Sequence, residues 1–280
     1  MKITLIALAT AFVCAASGLA GELPIIFEKP FLGCFVGFSE SRDFEFAIGA
    51  DGSSELFFRK GKKERLTTGG TTLNIYYVLE EKQKGKQKWT NRMMTEDGFE
   101  TSFKETVTPE RGKPISFTAT YTGDTKVEIT HVFSKDGVEI STRILEKKTE
   151  NEVRVGVKVV IGDMYRHIKE KLTERELKSK IKKSRMQVWP VDSKRSSGKK
   201  IDLYEIDIKM QEEFPKGATK FSMESDRLAD HGYTISTADP KLGIIEFKQT
   251  KDLYHGFSLY WWPDPAKSKE KGSRMVIEVD

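Results

Sequence analysis

Val127-Glu-Ile-Thr-His-Val-Phe133, then Ser134-Lys-Asp-Gly137, then Val138-Glu-Ile-Ser-Thr-Arg-Ile144 is the stretch that decides the fold class. Val127, Ile129, His131 and Phe133 alternate with Glu128 and Thr130. Val138, Ile140, Thr142 and Ile144 resume the alternation after the break. A period of two belongs to a strand with one buried face, because successive side chains point to opposite sides of the sheet. Asp136-Gly137 between two such runs predicts a hairpin, and a type I′ turn in particular, since both residues tolerate positive φ. His131 falls on the apolar face and reads as a core or edge histidine.

Working outward, the same texture continues in both directions. Strand-like segments are read at 35–58 (broken by Asp51-Gly52), 71–80, 89–95, 99–107, 152–161, 201–210, 233–237, 243–249, 256–262 and 275–279. About a dozen short strands at this spacing predict a large antiparallel β-sandwich or barrel-like fold. Parallel α/β architecture needs repeated crossover helices, and the pattern lacks them. One segment breaks the rhythm. Thr173 and Glu176 have capping-box spacing, Leu172 and Leu177 are placed for a hydrophobic staple, and Leu177, Ile181, Ser184 and Val188 share a helical face. A short amphipathic helix is therefore expected over about 174–185. No internal repeat or linker divides the chain, so 21–280 is read as one all-β domain. In size and helix-poor character this is similar to the super-sandwich of galactose-mutarotase-like and glycosidase-associated domains. The likeness is architectural only, and no catalytic position is carried over from it.

The first twenty residues carry the address. Lys2 precedes an apolar run from position 3 to 16, and Gly18-Leu19-Ala20 offers a small-x-small cleavage pattern. This is the anatomy of a secretory signal peptide cut near Ala20, with a core too short for a stable membrane anchor. Cleavage removes Cys14 and leaves Cys34 alone, so no intramolecular disulfide can form. An exported domain without disulfides points to a bacterial secreted or periplasmic protein. No later segment is long and apolar enough for a transmembrane helix.

Composition narrows the function classes. Hydrophobic residues make up 38%, charged residues 32% and aromatics 10%, which describes a globular, soluble chain. The net charge of +5 conceals an uneven distribution. Between 166 and 200 there are 13 Lys and Arg against Glu170, Glu174, Glu176 and Asp192, leaving the remainder acidic. Lys178, Lys182, Lys183 and Arg185 are candidates for contact with an anionic glycan or envelope surface. Their alternative role is the solvated face of a packed helix. Nucleic acid is not expected as a partner, because base-stacking aromatics are missing from the segment and the protein is exported.

The second cluster is 257–264, which reads FSLYWWPD. Phe257, Leu259 and Trp261 form an apolar face assigned to the core. Tyr260 and Trp262 lie on the other face, where flat rings suit the C–H face of a sugar and Asp264 could accept hydroxyl hydrogen bonds. The alternative is that Tyr260 and Trp262 cover a second layer of the sandwich. His231 and Glu246, in a stretch crowded with acids, complete the candidate ligand-binding set. No HxH or HExxH occurs, so no metal site is expected, and neither a nucleophile elbow nor a phosphate loop calls for a cofactor. The expectation is a non-catalytic exported protein that binds carbohydrate or another extracytoplasmic ligand. The alternatives are a glycan-active enzyme (epimerase, lyase or hydrolase) and a structural envelope protein. Ligand identity and oligomeric state are not encoded in any of these signals.

Overall fold

The computed structural model describes residues 36–38, 43–49, 52–60, 64–66, 70–86, 88–93, 100–101, 110–121, 124–192, 197–204, 208–264, 266–267 and 272–280. The signal-peptide reading of 1–20 and the reading of Cys34 lie outside the described residues.

The architecture is antiparallel β-structure in two linked sheets. The first contains β1 (Val36–Phe38), β2 (Phe44–Ile48), β3 (Ser54–Lys60), β5 (Thr72–Lys82), β11 (Glu152–Ile161), β17 (Phe257–Pro263) and β16 (Gly243–Lys248), paired in that order. Two short strands, β4 (Glu64–Arg65) and β6 (Trp89–Met93), extend β3 and the far half of β5. The second sheet runs through β13 (Lys199–Ile201), β12 (Arg185–Pro190), β14 (Ala218–Glu224), β15 (Gly232–Thr237), β18 (Met275–Val279), β10 (Gly137–Glu146), β9 (Thr125–Phe133), β8 (Pro114–Tyr121) and β7 (Glu100–Thr101). Among the described residues a single backbone pair, Ala218 with Ile245, joins the sheets through β14 and β16.

Between the sheets lies one continuous apolar core, to which both contribute alternate residues. Phe46, Tyr77 and Trp261 come from the first sheet; Phe117, Phe133 and Phe221 come from the second, all fully buried. The alternation in β9 is complete, with every second residue from Thr125 to Phe133 buried. His131 belongs to that buried row. Its Nε2 meets the Tyr77 hydroxyl, which also contacts the Ser54 hydroxyl at 2.8 Å, and its ring lies among Phe46, Phe117 and Phe133. Burial pushes the imidazole down to about 3, so it is held neutral.

Three local readings are corrected. The hairpin between β9 and β10 forms, but neither Asp136 nor Gly137 has positive φ, so the turn is not type I′. Gly137 is needed for another reason: β18 passes so close that a Cβ there would overlap the carbonyl oxygen of Ile277. The helix predicted to Arg185 is α2 (Glu174–Ile181), because Arg185 is drawn into β12 by pairing with Glu224. Its start is as expected, with the reciprocal Thr173–Glu176 capping box in place. The alternating stretch 201–210 is not one strand. β13 stops at Ile201, the Asp202 carboxylate accepts the Tyr204 N–H at 2.9 Å in an Asx turn, and Met210 starts a short helix, α3 (Met210–Glu213). One further short helix, α1 (Arg166–Lys169), follows β11.

Candidate functional site

The structure divides the residues singled out in the sequence between two places. Tyr260, Trp262 and Glu246 gather on the outer face of the first sheet. Glu246 stands opposite Tyr260 in the β16–β17 register, and its carboxylate accepts the Trp262 Nε1–H at 3.0 Å. The two rings are stacked at 6.0 Å and form a small outer cluster with Val78, flanked by Ile244. Gly156 makes room for this, since a Cβ there would run into the Trp262 ring and the Trp261 carbonyl. Above the indole lies the Arg154 guanidinium, 3.9 Å from the ring centre and 4.7 Å from that of Trp89. Glu80 holds that guanidinium at 2.6 Å. Lys158 likewise lies between Tyr76 and Tyr260. Trp262 is consequently 3% exposed and Tyr260 7%. Long cationic side chains cover both rings with their stems and heads, a packing arrangement in its own right. Asp264 sits one turn further on, where its carboxylate accepts the Ala266 N–H at 3.0 Å and closes the end of β17.

The other candidates line a paired groove on the second sheet. Lys182, Arg185, Gln187, Lys200, Asp202 and Glu224 border a cavity of about 720 Å³, with buried Met186 and Ile201 adding apolar lining. Arg185 and Glu224 also border an adjoining cavity of about 440 Å³, together with Lys183, Asp226, Asp230, His231 and Asp280. The basic residues expected from the sequence, Lys182, Lys183 and Arg185, thus share the groove with the carboxylates of Asp202, Glu224, Asp226, Asp230 and Asp280. Lys178 is the exception, placed over the Tyr204 ring at 4.7 Å.

Local geometry sets His231 in the groove wall. His231 follows two consecutive left-handed residues, Ala229 (φ 58°) and Asp230 (φ 66°), a conformation that costs a non-glycine residue about 1 kcal/mol or more. The ring is then pinned at both edges, with Nδ1 2.9 Å from the Asp280 main-chain oxygen and Nε2 2.8 Å from that of Arg59. Beneath the wall, the buried Tyr165 hydroxyl contacts Ser184 Oγ, which donates to Ser225 Oγ at 2.8 Å. Burial pushes the Tyr165 phenol up, so it stays protonated in this chain of hydroxyls.

Sequence reasoning missed a third cluster, assembled from segments far apart in the chain. Lys169, on α1, bonds the Asp163 carboxylate beyond the end of β11 and lies 2.9 Å from His255 Nδ1. That nitrogen is also 3.2 Å from Asp163. Tyr254 packs on the His255 ring at 4.3 Å and against Tyr204 at 6.2 Å, with the two tyrosine rings 17° from parallel. No motif spacing could have flagged this group, because Lys169 and His255 are 86 residues apart. Among the described residues no three His, Cys, Asp or Glu side chains are grouped as a metal ion would require. Nor is any described helix long and apolar enough to cross a membrane.

Against known proteins, no family model matches the chain and no curated protein matches it. Solved structures do. An α-N-acetylgalactosaminidase from Bifidobacterium bifidum superposes with a TM-score of 0.53 at 11% identity, over 88% of this chain and 35% of that one. Its N-acetylgalactosamine complex gives 0.47 at 8%, over 88% and 36% of the two chains. A GH31 family sulfoquinovosidase from E. rectale gives 0.29 at 10%, over 81% and 31%. The chain therefore spans about a third of the length of these enzymes. At such identity the first likeness establishes a shared β-rich fold, and the other two add nothing to it.

Proposed function

We propose that this is an exported, non-catalytic carbohydrate-binding protein whose ligand lies in the paired groove along β12 and β14. The observation carrying this reading is the groove itself. Its two parts fall within the usual volume range of small-molecule sites, and hydroxyl, amide, ammonium and carboxylate groups alternate around them. Sugar hydroxyls both donate and accept, so a wall mixing Lys182, Gln187, Asp202 and Glu224 serves them on all sides. A polyanion would meet the carboxylates of Glu224, Asp226 and Asp230 as well as the lysines, which favours a ligand near charge balance. A β-fold shared with part of a glycosidase fits this chemistry, although fold does not carry function.

Glycan arrays followed by titration calorimetry test the proposal. Binding to at least one glycan is expected, weakened about tenfold or more in Arg185→Ala/Gln187→Ala. Absence of binding to every glycan would leave the structural-protein reading. A second reading, a glycan-active enzyme, is favoured by the Asp163–Lys169–His255 cluster, which brings acid and base groups within hydrogen-bond reach of each other. Turnover of a polysaccharide panel that disappears in Asp163→Asn would carry it. Export to the periplasm or medium, in a bacterium, rests on 1–20; N-terminal sequencing of the secreted chain should begin close to Gly21.

A further inference from the structure

We infer that the groove continues past Asp202 onto the paired rings of Tyr204 and Tyr254, so that the ligand is an oligosaccharide rather than a single sugar. This rests on the carbohydrate reading above and extends the same site. Continuity comes from both walls. Lys182 and Asp202 border the larger cavity. One helical turn before Lys182, on the same side of α2, Lys178 places its ammonium 4.7 Å from the Tyr204 ring centre. Two residues after Asp202 comes Tyr204 itself, its N–H held by the Asp202 carboxylate.

The rings supply what the cavities lack. Among the residues lining the two cavities none is a Phe, Tyr or Trp, yet a pyranose ring buries its C–H face best against a flat π-surface. Tyr204 and Tyr254 are nearly parallel and only half-buried, packed against the edge of the core without entering it, and the flexible side chains of Lys178 and Lys169, whose ammoniums lie 4.7 and 5.0 Å from the two ring centres, must swing aside for a sugar to stack there. Past them, Lys169 and Asp163 fix His255 through Nδ1, while Nε2 has no protein partner among the described residues and is positioned to bond a hydroxyl. The Tyr254 phenol, pushed up by burial and by Asp252, Tyr204, Asp163 and Glu174, stays an O–H donor. Lys169 and Lys178 are offset by Asp163, Glu174 and Asp252 around these rings, so this end also suits neutral sugar units.

The test is a chain-length series. Oligosaccharides of one to six units, cut from the polysaccharide that binds on the array, are titrated into the full chain. Affinity should rise at least tenfold between one and four units. Tyr204→Ala and Tyr254→Ala should each remove about tenfold of that gain, and the phenylalanine variants should retain most of it. In protein carrying ring-13C tyrosine, the two signals lost in Tyr204→Phe and Tyr254→Phe should move with the four-unit ligand, a readout independent of whether the alanine variants fold. Affinity independent of length, or motionless tyrosine signals, would overturn the inference and leave the groove reading intact. Failure of every length to bind would remove both.

Discussion

At the scale of single residues, the outer face of the first sheet turns on Gly156. Its missing side chain lets the Trp262 indole lie against the strand, and Arg154 closes over the top. Glycine weakens a strand interior, and a cross-strand aromatic offsets that loss by covering the exposed backbone. Gly156→Ala should therefore lower stability by about 2 kcal/mol, seen as a melting temperature some 4–8 °C below wild type and a red-shifted tryptophan emission; an unchanged melt would mean the indole is not seated there. His131 gives a pH signature. Above pH 6.5 the ring is neutral in both folded and unfolded chains, and its contribution is constant. Below that, the unfolded ring takes up a proton which the folded one, held down to about 3, refuses. Stability should fall as pH drops from about 6.5 towards 3, by about 1.4 kcal/mol per pH unit from this group. His131→Phe, in which Ser54 still pairs the Tyr77 hydroxyl, should flatten the denaturation midpoint against pH by that slope; parallel curves would discharge His131 from the effect.

At the scale of elements, local signals were legible where the chain makes its own bonds. Thr173 and Glu176 satisfy each other's main-chain N–H groups within four residues, so the start of α2 could be read directly. Those same bonds hold the exposed Glu176 carboxyl below its usual range. Thr173→Ala should cost about 1 kcal/mol and reduce helical ellipticity, whereas Thr173→Ser should restore both. The helix end was not legible, because what stops it is β14 recruiting Arg185 into the second sheet. The alternation of 201–210 misled for a related reason. Asp202 turns the chain through a local side-chain bond, and Gln249, remote in sequence, accepts the Met210 N–H and donates to the Ile208 carbonyl. Alternation reports which faces are apolar; it does not report whether a neighbouring strand is there to pair with.

At the scale of the molecule, the two sheets share one core, although among the described residues only the Ala218–Ile245 pair links their backbone ladders. Core packing, together with buried side-chain bonds such as Tyr77–His131, Tyr121 to the Tyr77 carbonyl and Thr142 to the Val155 carbonyl, therefore couples them, and calorimetry should show a single cooperative unfolding transition with matching calorimetric and van't Hoff enthalpies. Two resolved transitions would mean that the sheets fold as separate units. The same arrangement explains the division of the candidate residues. Glu246 and His231 are fifteen positions apart in a stretch crowded with acids, but β16 carries the first to the outer face of one sheet while the turn before β15 delivers the second to a groove on the other.

The all-β class, the strand faces and the N-cap of α2 were legible in the sequence, because these depend on periodicity and on bonds within a few residues. The sequence also marked Lys182, Lys183, Arg185 and His231 as residues of interest. Only the tertiary structure decided what those residues meet. Carboxylates from β14 and its following turn balance the basic run, cationic side chains from β11 cover Tyr260 and Trp262, and Lys169, His255 and the tyrosine pair converge from distant segments. The physical reason is the same in each case. A site is made by groups that the core brings together across long stretches of chain, and side-chain periodicity carries no record of that partner.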